Sequence, residues 1–342
     1  MFESDVVVIG AGVMGSATSY ALAHSGLSVN LVEQFDPGHN RGSSHGSSRI
    51  FRFSYPDPMY VEMAQESLSL WRAAEERTGQ SLVVTTGGLD VGEGIEANAD
   101  SLQSCGAPFE MVKGPDVAAR WPQVHVADDE IALWQPDAGV ALADHAVSTF
   151  LRAARRAGVR LHRSTRVERL EITEEGVDVF SGDKVFHAGV AVVTAGGWAK
   201  SILSTVGVTL DVRPTRETVS YFSIPGPPPT LVDWSDPAVY ALPAPGYGLK
   251  AGEHIAGPTT DPDETGELSE DSIERVSAWV SRRFPTADPT PAHAETCIYT
   301  NTPDEHFVIE RHGQIVVGSA CSGHGFKFAP LIGKRLAELA TR

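Results

Sequence analysis

Hydrophobic and polar positions along this chain alternate between a strand period and a helix period. Asp5 to Ile9 is an apolar run of strand length. Val13 to Ser25 follows with helical character and Gly26 as its stop, and Ser28 to Val32 is a second apolar run that ends on Glu33. Asp57 caps a helix with Pro58 at its first position; that helix runs to Thr78, stops at Gly79, and buries a stripe through Met63, Ala64, Leu68 and Trp71. Strands are predicted within Ser81 to Val91, around Gly87-Gly88, and across Trp134 to Val140. Short helices are predicted over Ala97 to Cys105 and Pro115 to Arg120, and a longer one over His145 to Ala157, with Asp144 as cap and Gly158 as stop.

The α/β pattern then resumes. Val159 to Arg163 is a short strand, Val167 to Ile172 and Val177 to Ser181 form a hairpin across Glu175-Gly176, and Val185 to Thr194 is an apolar strand ending in Ala-Gly-Gly. From Leu210 to Ala256 alternating strands with Pro-rich turns, Pro225 to Pro229 among them, indicate a mostly antiparallel sheet in a second domain. Glu270 to Phe284 is a helix closed by Pro285, Ile315 to Ser319 a strand, and a C-terminal helix begins at Lys327 or Phe328. The fold class is therefore α/β: a Rossmann-like domain joined to an α+β domain built on a mostly antiparallel sheet.

Chemistry enters first at the N-terminus. Gly10, Gly12 and Gly15 form G-x-G-x-x-G between the first strand and the first helix, and Glu33 closes the second strand. In this strand–turn–helix–strand setting of about 30 residues the glycines become a dinucleotide-binding fingerprint. Gly10 permits the tight turn, Gly12 lets a pyrophosphate approach the backbone, and Gly15 lets helix and strand pack closely. The helix N-terminus offers partial positive charge and free N–H groups, and Glu33 can accept hydrogen bonds from a ribose diol.

Composition narrows the partners. With 342 residues, 42% hydrophobic and 21% charged, the chain is long enough for two domains and has the balance of a soluble globular protein. A net charge of −17 without a basic stripe argues against nucleic acid and anionic membranes as partners. No apolar run approaches the roughly 20 residues of a membrane helix. Cys105, Cys297 and Cys321 are an odd number with no C-x-x-C, which suits a reducing cytoplasm. No His/Cys spacing fits zinc.

Between Pro37 and Tyr55 lies a long loop rich in Gly, Ser and His that carries Arg49 and Arg52. Read alone, it is either a polar surface loop with solvated arginines or a functional loop beside the nucleotide. The far end of the chain supplies context. CIYTNTPDEHFVIE from Cys297, followed by GSACSGHGFKFAP from Gly318, resembles the monomeric sarcosine oxidase and N-methyltryptophan oxidase family of amine-oxidising flavoproteins. Ser43 to Gly46 with Arg49 and Arg52, and Lys250 with His254, match further motifs of that family. The resemblance covers nearly the whole chain.

The resemblance implies FAD rather than NAD. It also implies a discontinuous FAD-binding domain from residues 1–80, 141–208 and 297–342, with a substrate domain from residues 81–140 and 209–296 covering the flavin. Cys297 stands where the family attaches the flavin through a thioether, although a cysteine read alone is usually a small buried hydrophobe. Arg52 and Lys327 match the pair that holds the substrate carboxylate: a planar fork and a point charge. Arg49 matches a cation beside the flavin ring. Lys250 matches the lysine that promotes reaction with dioxygen, and His254 a histidine that polarises the substrate amine or flavin. Tyr299 and Gly323 match pocket positions, and Tyr240 does so if one residue is deleted before Lys250. Ser43, Ser44, His45, Val167, His324, Gly325 and Phe326 are expected around the cofactor. His306, with Asp304, is expected to fix a turn, and Glu253 to point away from His254 because strand neighbours face opposite sides.

The implied activity is oxidation of a secondary amine, N-methyl or cyclic, on an amino acid, giving an imine or aldehyde plus amino acid while dioxygen becomes hydrogen peroxide. The implied protein is a cytoplasmic monomer. Two rivals share the fold: a dehydrogenase that passes electrons to a partner protein, against which Lys250 argues, and a primary-amine oxidase of the glycine or D-amino acid type, against which Cys297 argues.

Overall fold

A computed structural model describes residues 1–342. Its first sheet grows from the N-terminal fingerprint. The strand Phe2–Ile9 pairs in parallel with Val29–Val32 on one side and Lys184–Val193 on the other. Arg160–His162 extends the sheet beyond Val29–Val32, and the hairpin Arg169–Ile172/Val177–Ser181 extends it beyond Lys184–Val193. Ile315–Ser319 returns from the end of the chain to pair in parallel with Ala191 to Val193. The parallel strands end where the glycines begin, which places the ligand crevice at their carboxyl ends.

The helix Val13–Leu22 crosses from the first strand toward the second and packs on Ala329–Ala340. Two glycines make these contacts possible. A Cβ on Gly15 would fall 1.8 Å from the Gly10 carbonyl, and one on Gly333 only 2.6 Å from the Ala17 backbone. Trp71 on the helix Pro58–Thr78 is fully buried in this core beside Phe150. That helix has the caps the sequence predicts: the Asp57 carboxylate accepts the Met59 N–H, and Gly79 turns left-handed at φ 66°.

The second sheet has eight strands in the order His293–Asn301, Arg213–Phe222, Gly248–Glu253, Val239–Ala244, Thr230–Asp233, Gly88–Val91, Ile131–Gln135, Glu110–Lys113. Every pairing is antiparallel except Thr230–Asp233 with Gly88–Val91. The helix Glu270–Arg283 packs against it, with Trp279 and Val280 buried. A small third sheet is formed by Arg49–Phe51, Gly139–Ala141 and Val83–Thr85. No helix is long and apolar enough to cross a membrane.

Three details differ from expectation. Trp134 to Val140 is not one strand: Ile131–Gln135 and Gly139–Ala141 belong to different sheets. Pro136, which lacks an N–H, starts a turn closed by the Ala138 N–H on the Gln135 carbonyl. Asp144 is not a cap; the helix begins at Ala143, and the Asp144 carboxylate accepts the Gly46 N–H at 2.9 Å. The segment boundary expected at residue 297 falls inside His293–Asn301, which pairs along its whole length with Arg213–Tyr221 of the second sheet.

Candidate active site

A long cavity of about 310 Å³ starts at the fingerprint. Gly10 (φ 93°) and Gly12 line one end, with Glu33 beside them. The Glu33 carboxylate accepts N–H bonds from Ala11 at 2.7 Å and Phe35 at 2.9 Å. The cavity runs past Val167, Ser43, Ser44 and His45 to Arg49, Tyr299, Gly323, Gly325 and Phe326. Gly15 packs behind the turn.

The loop after Glu33 is held by its own polar groups. The Ser44 hydroxyl accepts the Val13 N–H at 3.0 Å, and the Ser43 hydroxyl donates to the Ile298 carbonyl. The Arg49 guanidinium donates to the carbonyls of Ser43, His45 and Ser48, so it braces the loop as well as lining the cavity. Residues 42–46 spell G-x-S-x-G, the letters of a hydrolase nucleophile elbow. They form neither strand nor helix, and the central Ser44 is occupied at the fingerprint turn, so the strand–turn–helix context of an elbow is missing.

A second cavity, about 90 Å³, adjoins the first, and Arg49, Tyr299, Gly323 and Phe326 line both. Arg52, Tyr240, Lys250, His254, Cys297 and Lys327 converge here from five chain segments. Arg52 is buried, its guanidinium sandwiched between the rings of Tyr55 at 4.1 Å and Trp234 at 4.9 Å, and it donates to the Ser54 carbonyl. Lys327 is buried too and donates to the Tyr55 hydroxyl at 2.7 Å and the His324 carbonyl at 2.6 Å. Burial and then the Arg52 charge hold its ammonium well below the ordinary lysine range.

Gly323 (φ 72°) passes where no side chain could: a Cβ would lie 2.4 Å from the Tyr299 ring and 2.8 Å from that of His254. Glu253 does point away, into an ion pair with Arg275 at 2.6 Å, while the His254 Nε2 lies 3.9 Å from a Glu305 carboxylate oxygen. His306 is structural: its N–H meets Asp304 and its ring meets the Tyr60 hydroxyl at 2.9 Å.

Two residues expected at the cofactor, Cys297 and His324, line the smaller cavity, which adjoins the larger. Cys297 is buried there, its thiol pushed up by burial and drawn down by Arg49 and Lys250. His324 packs among Tyr55, Tyr60 and Phe307. Its Nε2 meets the Glu305 carbonyl at 3.0 Å and its Nδ1 the Tyr55 hydroxyl at 3.2 Å. A carbonyl only accepts, so Nε2 carries the proton, Tyr55 donates to Nδ1, and the Tyr55 oxygen is left to accept from Lys327. Burial and then Lys327 keep this imidazole neutral.

The profile of the FAD-dependent oxidoreductase family matches residues 5–339. The chain belongs to this family. Monomeric sarcosine oxidase of Streptomyces avermitilis is 35% identical over 98% of this chain and 93% of its own length. N-methyl-L-tryptophan oxidase of Yersinia pestis is 31% identical, covering 99% and 95%. Among solved structures, NikD, described as an unusual amino acid oxidase essential for nikkomycin biosynthesis, superposes with a TM-score of 0.91 at 26% identity, over 100% of this chain and 95% of that one.

The residues of this FAD-dependent oxidoreductase fit the dinucleotide. Bare glycine backbone lies at the carboxyl end of the first strand, an acid stands at the second, and the buried His45 Nε2 in the cavity wall has no partner in the protein. Several site residues carried no sequence signal. Asp90 lies fully buried behind Arg52 and accepts from Ser54, from the Trp234 Nε1 at 3.1 Å and from Gln135 at 3.2 Å; burial raises its pKa. Tyr55, Trp234, Tyr221 and Glu295 were also missed. Glu295 alone had a signal, since it lies two residues before Cys297 on a strand and so shares its face.

Proposed function

We propose that the protein oxidises a secondary amine, N-methyl or cyclic, on an amino acid and passes the electrons through FAD to dioxygen, releasing hydrogen peroxide. The observation that carries this reading is the pair Arg52 and Lys327. Two buried basic side chains face one cavity, and neither is ion-paired with a protein carboxylate. Such a pair is costly unless an anion completes it, and the substrate carboxylate does so, bidentate on Arg52 and monodentate on Lys327. The sarcosine and N-methyltryptophan oxidase relatives supply the class of amine.

FAD, held along the larger cavity, supplies the two-electron sink. The chain's own groups do the rest. Arg52 and Lys327 fix the carboxylate, which sets the amine and its neighbouring carbon against Tyr299 and Gly323 at the seam between the cavities. The two cations also favour loss of the proton from the amine, which must be neutral to donate electrons. Lys250, 3% exposed, lines the smaller cavity beside Cys297 and is the charge we assign to favouring superoxide formation. Cys297 is the thiol we assign to a thioether with the flavin methyl carbon, a bond that would form with loss of the thiol proton and of one C–H hydrogen, the two electrons going to dioxygen; burial raises the thiol, and Arg49 and Lys250 oppose it in favour of the thiolate. The chain acts as a cytoplasmic monomer; the name of the Streptomyces relative supports the monomeric state.

A peroxide-release screen over N-methyl and cyclic amino acids tests the function. Turnover with an artificial acceptor but no peroxide would favour a dehydrogenase, and activity confined to primary amines would overturn the secondary-amine assignment. Acid precipitation tests the tether: a yellow pellet supports it and a colourless pellet refutes it.

A further inference from the structure

Lys250 does not stand alone. On the strand His293–Asn301, Glu295 projects from the same face as Cys297, and its Oε1 lies 3.8 Å from the Lys250 Nζ. The Tyr221 hydroxyl donates to Glu295 at 2.5 Å and holds it in place. Its other oxygen lies 3.8 Å from the His45 Nδ1. A methyl group set on Gly46 would sit 3.3 Å from Glu295 Oε1, 3.5 Å from Arg49 Nη1 and 3.6 Å from Lys250 Nζ, so three charges surround one small space. The Lys250 side chain is 3% exposed and that of Glu295 24%, so the acid reaches solvent and the lysine does not.

We propose that Glu295 is the positioning residue that keeps Lys250 charged, and thereby sets the pH range over which the protein reacts with dioxygen. The link to dioxygen rests on the function proposed above; the link between the two side chains does not. Lys250 is faced by Arg49 from the strand Arg49–Phe51, His45 from the preceding loop, Asp144 from the helix Ala143–Arg156, Tyr221 from Arg213–Phe222, and Cys297 and Glu295 from His293–Asn301. Burial comes first in drawing its pKa down, to about 7, and Arg49 adds to the fall. Among the groups that oppose this, Cys297 is uncharged both as a thioether and as a thiol that burial raises, and Asp144, whose carboxylate accepts the Gly46 N–H, acts less on Lys250 than Glu295 does. Glu295 is thus the leading acid acting on Lys250; its own carboxyl is held low despite burial by Tyr221 and Lys250. Arg49 remains opposite it.

The test is the titration of Lys250 in the holoenzyme by ¹³C-lysine NMR, which six lysines make tractable, with Lys250→Met assigning the signal. Lys250 should titrate near 7. In Glu295→Gln the midpoint should fall by about one to three pH units, the Coulombic range for a pair at this separation. Glu295→Asp, which keeps the charge, should stay within about half a unit, and it serves if the glutamine variant does not fold. The pH profile of flavin reoxidation should move by the same amount, with the rate recovered at lower pH. An unmoved midpoint in a folded Glu295→Gln protein, or an equal fall in both variants, overturns the proposal. A protein that releases no peroxide from any amine but shows the expected midpoints would overturn the proposed function and its dioxygen link, leaving the Glu295–Lys250 pairing intact.

Discussion

Removal of the Lys327 charge tests the carboxylate clamp most sharply. In Lys327→Met the stem keeps its shape while the ammonium disappears. The Tyr55 hydroxyl keeps its bond to His324, and the His324 carbonyl loses one donor, a cost of about 1 kcal/mol. Against that loss, the variant no longer buries a cation beside Arg52, so folding stability should change little. Binding should change far more. A hydrogen bond to a charged partner is worth roughly 1.5–3 kcal/mol, so kcat/KM for a carboxylate-bearing amine should fall roughly 10- to 150-fold. The same factor should appear in the Kd of a carboxylate inhibitor, read from flavin absorbance, and should be absent for an amine that lacks the carboxylate. In the unaltered protein a bound carboxylate favours the charged form of Lys327, so binding takes up a proton where free Lys327 is neutral and weakens as pH rises. Equal losses for amines with and without the carboxylate, or no loss for either, would refute the clamp.

Other expectations follow from neighbouring contacts. Lys250→Met should slow reoxidation by dioxygen far more than reduction by substrate in stopped-flow; equal losses in both halves count against its role. Gly323→Ala should lower kcat/KM at least about tenfold, because the new Cβ strikes Tyr299 and His254 at a left-handed backbone position, with a stability cost of about 1–2 kcal/mol; an unaffected KM and kcat would mean that the rings have room to yield. His45 is held neutral, lowered to about 4 by burial and then Arg49, against 6.5 when unfolded. Between those values the unfolded chain binds the extra proton, so stability should fall as pH drops through that window. Denaturant midpoints for His45→Asn should show a flatter slope there.

Local patterns along the chain reveal the fold better than the site. The fingerprint, the capped helix Pro58–Thr78 and the Pro-rich second sheet each announce themselves within a few residues, because propensity, capping and alternation are local. The proposed clamp is legible only through likeness to a family: Arg52 and Lys327 lie far apart in sequence and meet in one cavity. Trp234 and Asp90 are less legible still. Register between strands distant in sequence brings that ring and acid behind Arg52, and no pattern at either position reports it. The Trp134–Val140 and Asp144 expectations failed for a related reason. A turn at Pro136 moves the chain between sheets, and a tertiary contact to Gly46 takes the carboxylate that would have capped the helix.

The strand His293–Asn301 carries Glu295, Cys297 and Tyr299 on one face and is locked to its neighbour along its length. On the proposed function, oxidant chemistry, tether and substrate wall therefore share one stiff beam, and none of the three could be retuned by shifting it without disturbing the others. Redirecting this enzyme toward a different amine is better begun at Tyr240, on another strand, or at Trp234, beyond a strand end, where the wall can be recut while the beam stays still.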